Sequence, residues 1–222
     1  MTTHRPSSIP EVLHVSRTER LRASPPLFTS PALDRLTRVH HLVPVAIYAP
    51  VVVILALLAV RAQGVPALAG LAAGYALWTF TEYWLHRVVF HFEPQHPVGR
   101  RLHFLAHGVH HDHPNDPKRL VMPPSVSLPV AALFGAVFLV VAGTPVALGL
   151  FAGFLLGYLI YDELHFFLHH GAPRSSLGRS LRERHLRHHF QDHTRGFGVS
   201  APYWDAVFGT ASRARRRVLP RY

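Results

Sequence analysis

Four apolar blocks, each near the length that crosses a bilayer, alternate with arginine- and histidine-rich stretches, and this alternation most constrains what the chain can fold into. A membrane-crossing helix needs about 20 mostly apolar residues. Leu42 to Val60 supplies the first block, closed by Arg61. A Gln63-Gly64-Val65-Pro66 turn leads to the second, Ala67 to Phe90, where Gly70 and Gly74 permit close helix contact. Ser127 to Ala142 is a shorter third, and Gly143-Thr144-Pro145 turns the chain into the fourth, Val146 to Leu168. The expectation is an all-α integral membrane protein with four transmembrane helices in two hairpins and a cytoplasmic helical cap. The division expected is a polar cytoplasmic segment over 1–41, a membrane domain over 42–210 and a basic tail over 211–222. No small-residue cleavage site follows the first block, so it is expected to stay in the membrane as an anchor.

Charge sets the expected orientation. The formal net charge is +11, from 23 Lys+Arg against 12 Asp+Glu. Arg5, Arg17, Arg20, Arg22, Arg35 and Arg38 precede the first block, Arg100, Arg101, Lys118 and Arg119 lie between the hairpins, and a dense run from Arg174 onward follows the last. The two hairpin turns carry only Arg61. Positive residues stay on the cytoplasmic side, so both termini and the central loop are expected there. This distribution accounts for the basic balance without nucleic acid as a partner. Lys118 is the only lysine, a bias that fits a high-GC bacterium and hence an inner-membrane location. There is no cysteine, so a disulfide framework, a zinc–thiolate site and a cysteine nucleophile are all excluded.

The chain has 19 histidines, and most fall in spaced groups. His86 and His91 form H-x4-H at the end of the second block. His107, His110 and His111 form H-x2-H-H in the central loop. His165 and His169 form H-x3-H at the end of the fourth block, and His185, His188 and His189 form a second H-x2-H-H. Positions i, i+3 and i+4 share a helix face, whereas adjacent positions splay by roughly 100°. One helix of this pattern can therefore offer ligands to two metals side by side. His86 and His91 would stand roughly 140° apart on an ideal helix; either the helix loosens near His91 or the metals sit off its end. Ten imidazoles are too many for one ion and suit two. Neutral imidazole accepts Fe, Zn, Cu or Ni, so ligand type alone does not name the metal. His4, His14, His40, His41, His96, His103, His113, His170 and His193 read as solvated or hydrogen-bonded side chains. Glu82, one turn before His86, and Asp162, three before His165, are placed to accept the second N–H of a ligating imidazole. An interfacial carboxylate meeting water is the other reading of each. Tyr161, Tyr203 and Trp204 are candidates for lining a substrate site, or equally for aromatic anchors at the interface.

The strings EYWLHRVVFH, HGVHH, HFFLHH and HLRHH resemble the fatty acid hydroxylase/sterol desaturase superfamily over about residues 75–210. RLVMPP (119–124), GYLIYDELHFFLHH (157–170) and FGVSAPYWDAVFGT (197–210) are similar to its fatty acid 2-hydroxylase branch. The resemblance implies that His86, His91, His107, His110, His111, His165, His169, His185, His188 and His189 are ligands to two Fe ions, with Zn able to replace them on isolation. It also implies O2 as co-substrate and a lipid in the membrane as substrate. Residues 1–41 are too short for the cytochrome b5 domain often fused to that branch, so an external donor is expected, a ferredoxin or cytochrome with its reductase. An unactivated C–H bond does not yield to acid–base chemistry at pH 7, whereas metal cofactors carry such oxidations; no side chain is expected to act as a general base. The rival readings are sterol desaturase-like or carotenoid hydroxylase-like oxidation and, outside enzymes, a haem- or metal-binding membrane protein.

Overall fold

The computed structural model describes residues 16–212. The expectations for residues 1–15, including His4 and His14, and for the tail from residue 213 onward lie outside the described residues. Among the described residues every regular element is helical. In chain order they are α1 (Arg17–Arg22), α2 (Pro31–Leu36), α3 (Leu42–Gln63) and α4 (Pro66–Trp84), then a π-helical turn over Leu85–Phe90. Next come α5 (Pro97–His103), a second π-helical turn over Phe104–Gly108, and α6 (Val109–Asp112). The order closes with α7 (Pro124–Ala142), α8 (Val146–His170), α9 (Ser176–Phe190) and α10 (Tyr203–Val207). Proline opens α2, α4, α5 and α7. There its missing N–H costs nothing and its fixed φ suits the first turn.

Among the described residues three helices are long and apolar enough to cross a membrane: α3, α7 and α8. The second expected block does not form one helix of that kind. Its α-helical ladder stops at Trp84, the π turn takes over, and the last turns of α4 hold Thr79, Thr81 and Glu82. The third is longer than expected, because Pro124 rather than Ser127 opens it. The fourth runs on to His170 without a proline, so one continuous helix carries both a membrane-length segment and His165 and His169.

α8 is the centre of the bundle. Phe154, Leu155 and Tyr158 on it are buried against Tyr48 of α3, Trp78 of α4 and Phe138 of α7. Trp78 sets its ring edge-on to Phe154 at 5.1 Å and to Tyr158 at 5.3 Å, the geometry that the ring quadrupoles favour. α4 and α8 cross at backbone contact. A Cβ on Gly74 would collide with the Leu150 carbonyl, and one on Gly153 with the Leu71 carbonyl. Small residues at such a crossing gain close van der Waals packing, which drives helix association where lipid removes the hydrophobic term. The outward faces remain apolar: Val53, Ile54 and Leu57 on α3 and Leu133, Val140 and Val141 on α7 are exposed.

Residues 16–41 do not stand apart from the rest. Val39 N–H donates to the Lys118 carbonyl at 2.7 Å and Asn115 N–H to the Leu21 carbonyl at 3.0 Å. The physical reason is Asp34. It is buried, and its carboxylate accepts from Leu27 N–H at 2.6 Å, from Arg38 Nε at 2.9 Å and from Arg119 Nη2 at 2.9 Å.

Candidate metal centre

The ten histidines singled out by spacing come together past the end of α4 and along the last turns of α8, in two groups of five. His86, His91, His107, His111 and His188 form one group, and His110, His165, His169, His185 and His189 the other. Within each group the ligand-capable atoms all lie within 4.8 Å of one another. The i, i+4 pairs stay together, His107 with His111 and His185 with His189, whereas the i, i+3 pairs His107/His110 and His185/His188 part. The adjacent pairs, His110/His111 and His188/His189, split between groups. His86 and His91 join the same group because the helix loosens between them. The π turn over Leu85–Phe90 bonds i to i+5 and brings residues five apart onto one face.

The rings meet nitrogen to nitrogen. In the first group His91 Nε2 lies 3.2 Å from His86 Nε2 and 3.0 Å from His188 Nε2, and His111 Nε2 lies 3.0 Å from His107 Nε2. In the second, His110 and His189 approach through Nε2 at 3.1 Å, and His169 and His185 at 2.7 Å. Protonation makes these contacts informative. His86 Nδ1 is 2.7 Å from the Phe197 carbonyl and His188 Nδ1 is 2.8 Å from the Arg195 carbonyl. A carbonyl only accepts, so each Nδ1 carries the proton and each Nε2 keeps a lone pair. A second lone pair turned on either Nε2 would repel it unless a cation lay between them. Two imidazole nitrogens bound at about 2.0–2.1 Å to one ion stand about 2.9–3.4 Å apart. Four of the five approaches fall in that range, and His169–His185 is closer. The donor set fits one metal ion per group.

Burial keeps the rings neutral. It is the first cause that lowers the imidazole pKa of His107, His110, His111, His185 and His189, and neighbouring rings add to it. Burial likewise brings His91 down to about 3 and His188 to about 4. All seven are therefore in the uncharged form that binds metals at neutral pH. Among the described residues His165 Nε2, His169 Nδ1, His185 Nδ1 and His189 Nδ1 are buried with no hydrogen-bond partner.

The carboxylates depart from expectation. Glu82 is buried, but it accepts from Ser200, at 2.8 Å from the backbone N–H and also from the hydroxyl, instead of from a histidine ring. The chain bends so that 197–204 lies against α4, and Ser200 reaches the carboxylate first. Glu82 thus acts at one remove: it fixes the loop whose Phe197 carbonyl holds His86. Asp162 is buried, its Oδ2 has no hydrogen-bond partner among the described residues, and it lines the cavity described below. Of the three aromatic candidates, Tyr161 also lines that cavity, its ring 5.6 Å from His165. Tyr203 and Trp204 do not; both donate to Thr79 Oγ1, at 2.8 and 3.2 Å, and Tyr203 is exposed.

Sequence reasoning missed what holds the loop. Buried Asp205 accepts from Phe197 N–H and Gly198 N–H, both at 2.9 Å, and from Thr210 Oγ1 at 2.7 Å. Tyr83 hydroxyl and Thr210 Oγ1 are 2.9 Å apart. The 197–210 string carried the signal, but as a family marker and not as a scaffold for His86. The pairing of His41 Nδ1 with Glu163 at 2.9 Å was likewise unread.

A cavity of about 560 Å³ adjoins the histidines. His107 of the first group and His110 and His165 of the second stand in its wall. Trp78, Leu105, Val109, Met122 and Tyr158 make much of the remainder.

An all-helical chain with membrane-length helices and two five-histidine groups opening on an apolar chamber is the class that fold and site define. The chain belongs to the fatty acid hydroxylase family, whose model matches residues 71–210. It is 42% identical over 137 residues to the dihydroceramide fatty acyl 2-hydroxylase FAH1 of Arabidopsis thaliana, covering 62% of this chain and 58% of that one. It is 44% identical over 140 residues to the ceramide very long chain fatty acid hydroxylase SCS7 of Saccharomyces cerevisiae, covering 62% and 36%. The human fatty acid 2-hydroxylase is 41% identical over 143 residues, covering 62% and 38%. The solved structure of full-length scs7p, in which only the hydroxylase domain is visible, superposes with a TM-score of 0.79 at 38% identity, over 83% of this chain and 71% of that one. The chain thus spans three fifths or less of the length of these curated relatives.

Proposed function

We propose that this chain is a membrane-bound hydroxylase that uses two iron ions and O2 to hydroxylate carbon 2 of a lipid acyl chain. The observation that carries the reading is the chamber: histidines of both groups stand in the wall of one apolar cavity. The names of the relatives, which are fatty acyl 2-hydroxylases, support the same position. The ten histidines would hold the ions, and zinc would occupy the same nitrogens if exchanged on isolation. Iron so held supplies, with O2, the oxidising power that a C–H bond requires.

The chain's own residues do the rest. The Phe197 and Arg195 carbonyls hold His86 and His188 with Nε2 turned inward. Glu82 and Asp205 keep the intervening loop in place. Trp78, Tyr158, Tyr161 and Leu105 exclude water from the chamber. Each turnover sends one oxygen atom of O2 to the lipid and one to water, and needs two electrons and two protons from outside. The electrons would come from a ferredoxin or cytochrome with its reductase.

The proposed topology has four spans in two hairpins. α4 serves as the fourth because a short Gly64 turn returns it beside α3, and its length packs on α8. Both termini and the histidines then face the cytoplasm, across the inner membrane of a bacterium. A lipid standing in that bilayer keeps its head at the interface, so the metals meet carbons near the head group.

The test is expression in a host without such activity, followed by mass spectrometry of fatty acids and pigments. New 2-hydroxy acyl chains are expected. Hydroxylation only at the chain end, or only on a sterol or carotenoid ring, would overturn the reading.

A further inference from the structure

The chamber is not built from the family-matched region alone. Leu27, Phe28, Leu33, Leu36 and Thr37 also line it, and all precede residue 71, where the family match begins. They are held by one buried ion pair. Arg119, buried in the RLVMPP string, donates to Asp34, to the Pro25 carbonyl and to Thr37 Oγ1. Arg101 donates to the Leu27 carbonyl. The backbone of 24–39 is therefore fastened at both ends of the stretch that faces the chamber.

The mouth of the chamber has an unusual composition. Leu33, Leu36, Leu102 and Val126 line the cavity, yet they are 50%, 57%, 61% and 49% exposed. A mouth that opened to water would carry polar side chains at its rim. Val126 also begins a stripe on α7: Val130, Leu133, Val137 and Val140 follow at i+4, i+7, i+11 and i+14, and all are exposed. That spacing keeps one helix face. The apolar rim is thus continuous with the outward face of a membrane-length helix.

We propose that residues 24–39 form the selectivity wall of the chamber. Leu27, Phe28, Leu33 and Leu36, clamped by the Asp34–Arg119 pair, contact an acyl chain that enters sideways from the bilayer past Val126. They decide which lipid reaches the histidines. This rests on the reading of the chamber as a lipid site.

Two measurements test it. In the first, a fatty acid carrying a diazirine on its chain is irradiated with the metal-free full chain in lipid nanodiscs, and adducts are mapped by mass spectrometry. Adducts on residues 27–36, competed away by unlabelled fatty acid and reduced by Leu36→Trp, are expected. Adducts confined to the outward faces of α3 and α7 would overturn the wall. In the second, iron-loaded enzyme is given a mixture of long- and short-chain substrates. Leu36→Trp narrows the chamber and should shift the ratio of the two kcat/KM values by about tenfold toward the short chain, the scale on which pocket fit discriminates. Leu36→Ile should restore the ratio, and iron content should equal that of the wild type in both. An unchanged ratio in Leu36→Trp at full iron content would sink the proposal. Crosslinking as expected by a protein that hydroxylates no lipid would refute the hydroxylase reading and leave the wall standing. Hydroxylation with no adducts on 27–36 would do the reverse.

Discussion

The two histidine groups hold the same number of rings but are organised by different forces. In the first, orientation comes from a loop. His86 and His188 are hydrogen-bonded through Nδ1 to the backbone carbonyls of Phe197 and Arg195, and His91 is only partly buried. In the second, orientation comes from helix packing. His165 and His169 project from α8, and His185 and His189 from α9; the Nδ1 atoms of His169, His185 and His189 find no partner among the described residues. A loop-held ligand can be released by cutting one hydrogen bond, whereas a helix-held ligand moves only if the helix does. The first group should therefore yield to polar substitutions in 197–210, and the second to steric substitutions where α4 crosses α8.

The largest effect should come from removing a ligand outright. The wild type, purified without oxygen, should carry two irons per chain by elemental analysis. His188→Ala should remove the ion of the first group and His110→Ala that of the second. Each should lower lipid hydroxylation by more than about 100-fold, since outer partners of ligands alone cost about 10–100-fold. His96→Ala, an exposed residue in neither group, should change neither quantity. A wild-type iron content near one would refute the two-ion reading.

The next effect sharpens the contrast. Asp205→Ala frees Phe197 N–H and Gly198 N–H and lets the loop drift from His86. Iron affinity should fall by about 10–100-fold at one site only, so chelator titration should become biphasic. A uniform loss from both sites would show that the loop supports the whole assembly. Glu82→Gln should act in the same direction but more weakly, because Ser200 can still bond the amide oxygen.

Gly153→Ala tests the helix-held side. Its Cβ meets the Leu71 carbonyl, and overpacking of this kind costs about 1–3 kcal/mol. The metal-free protein should melt at a lower temperature, and on reloading the second group should lose occupancy before the first. Preferential loss from the first group would reverse the assignment. His193→Ala should have the smallest effect. Its ring stacks on His91 at 6.1 Å from the outside and belongs to neither group, so iron content should stay at the wild-type value.

Much of this division could be read in the sequence. Three of the four blocks foretold membrane-length helices, and the H-x2-H-H spacing foretold that His110 and His111 would part, though not which of them His107 would join. The gap between His86 and His91 left two readings, a loosened helix or metals off its end, and the π turn over Leu85–Phe90 supplies the first. The carboxylates were misread for a physical reason. Glu82 and Asp162 sit at the right helical distance from histidines, but a carboxylate bonds whichever donor the tertiary fold brings nearest, and for Glu82 that donor is Ser200. Tyr203 and Trp204, read as lining a substrate site or equally as interface anchors, bond to Thr79 and stand outside the chamber wall.

The sequence by itself determined which histidines share a helix face and which segments are apolar enough for a membrane. Both are local properties, set by the 3.6-residue repeat and by side-chain transfer energies. Only the tertiary structure decided which faces meet. It joined His110 to His165 and His91 to His188, chose the Phe197 and Arg195 carbonyls as anchors, and folded residues 24–39 over the chamber. Every residue carries a backbone carbonyl, so no residue type marks the one that will hold an imidazole. The register between α4 and α8 is likewise fixed by contact at Gly74 and Gly153, a relation between distant positions that no local pattern contains.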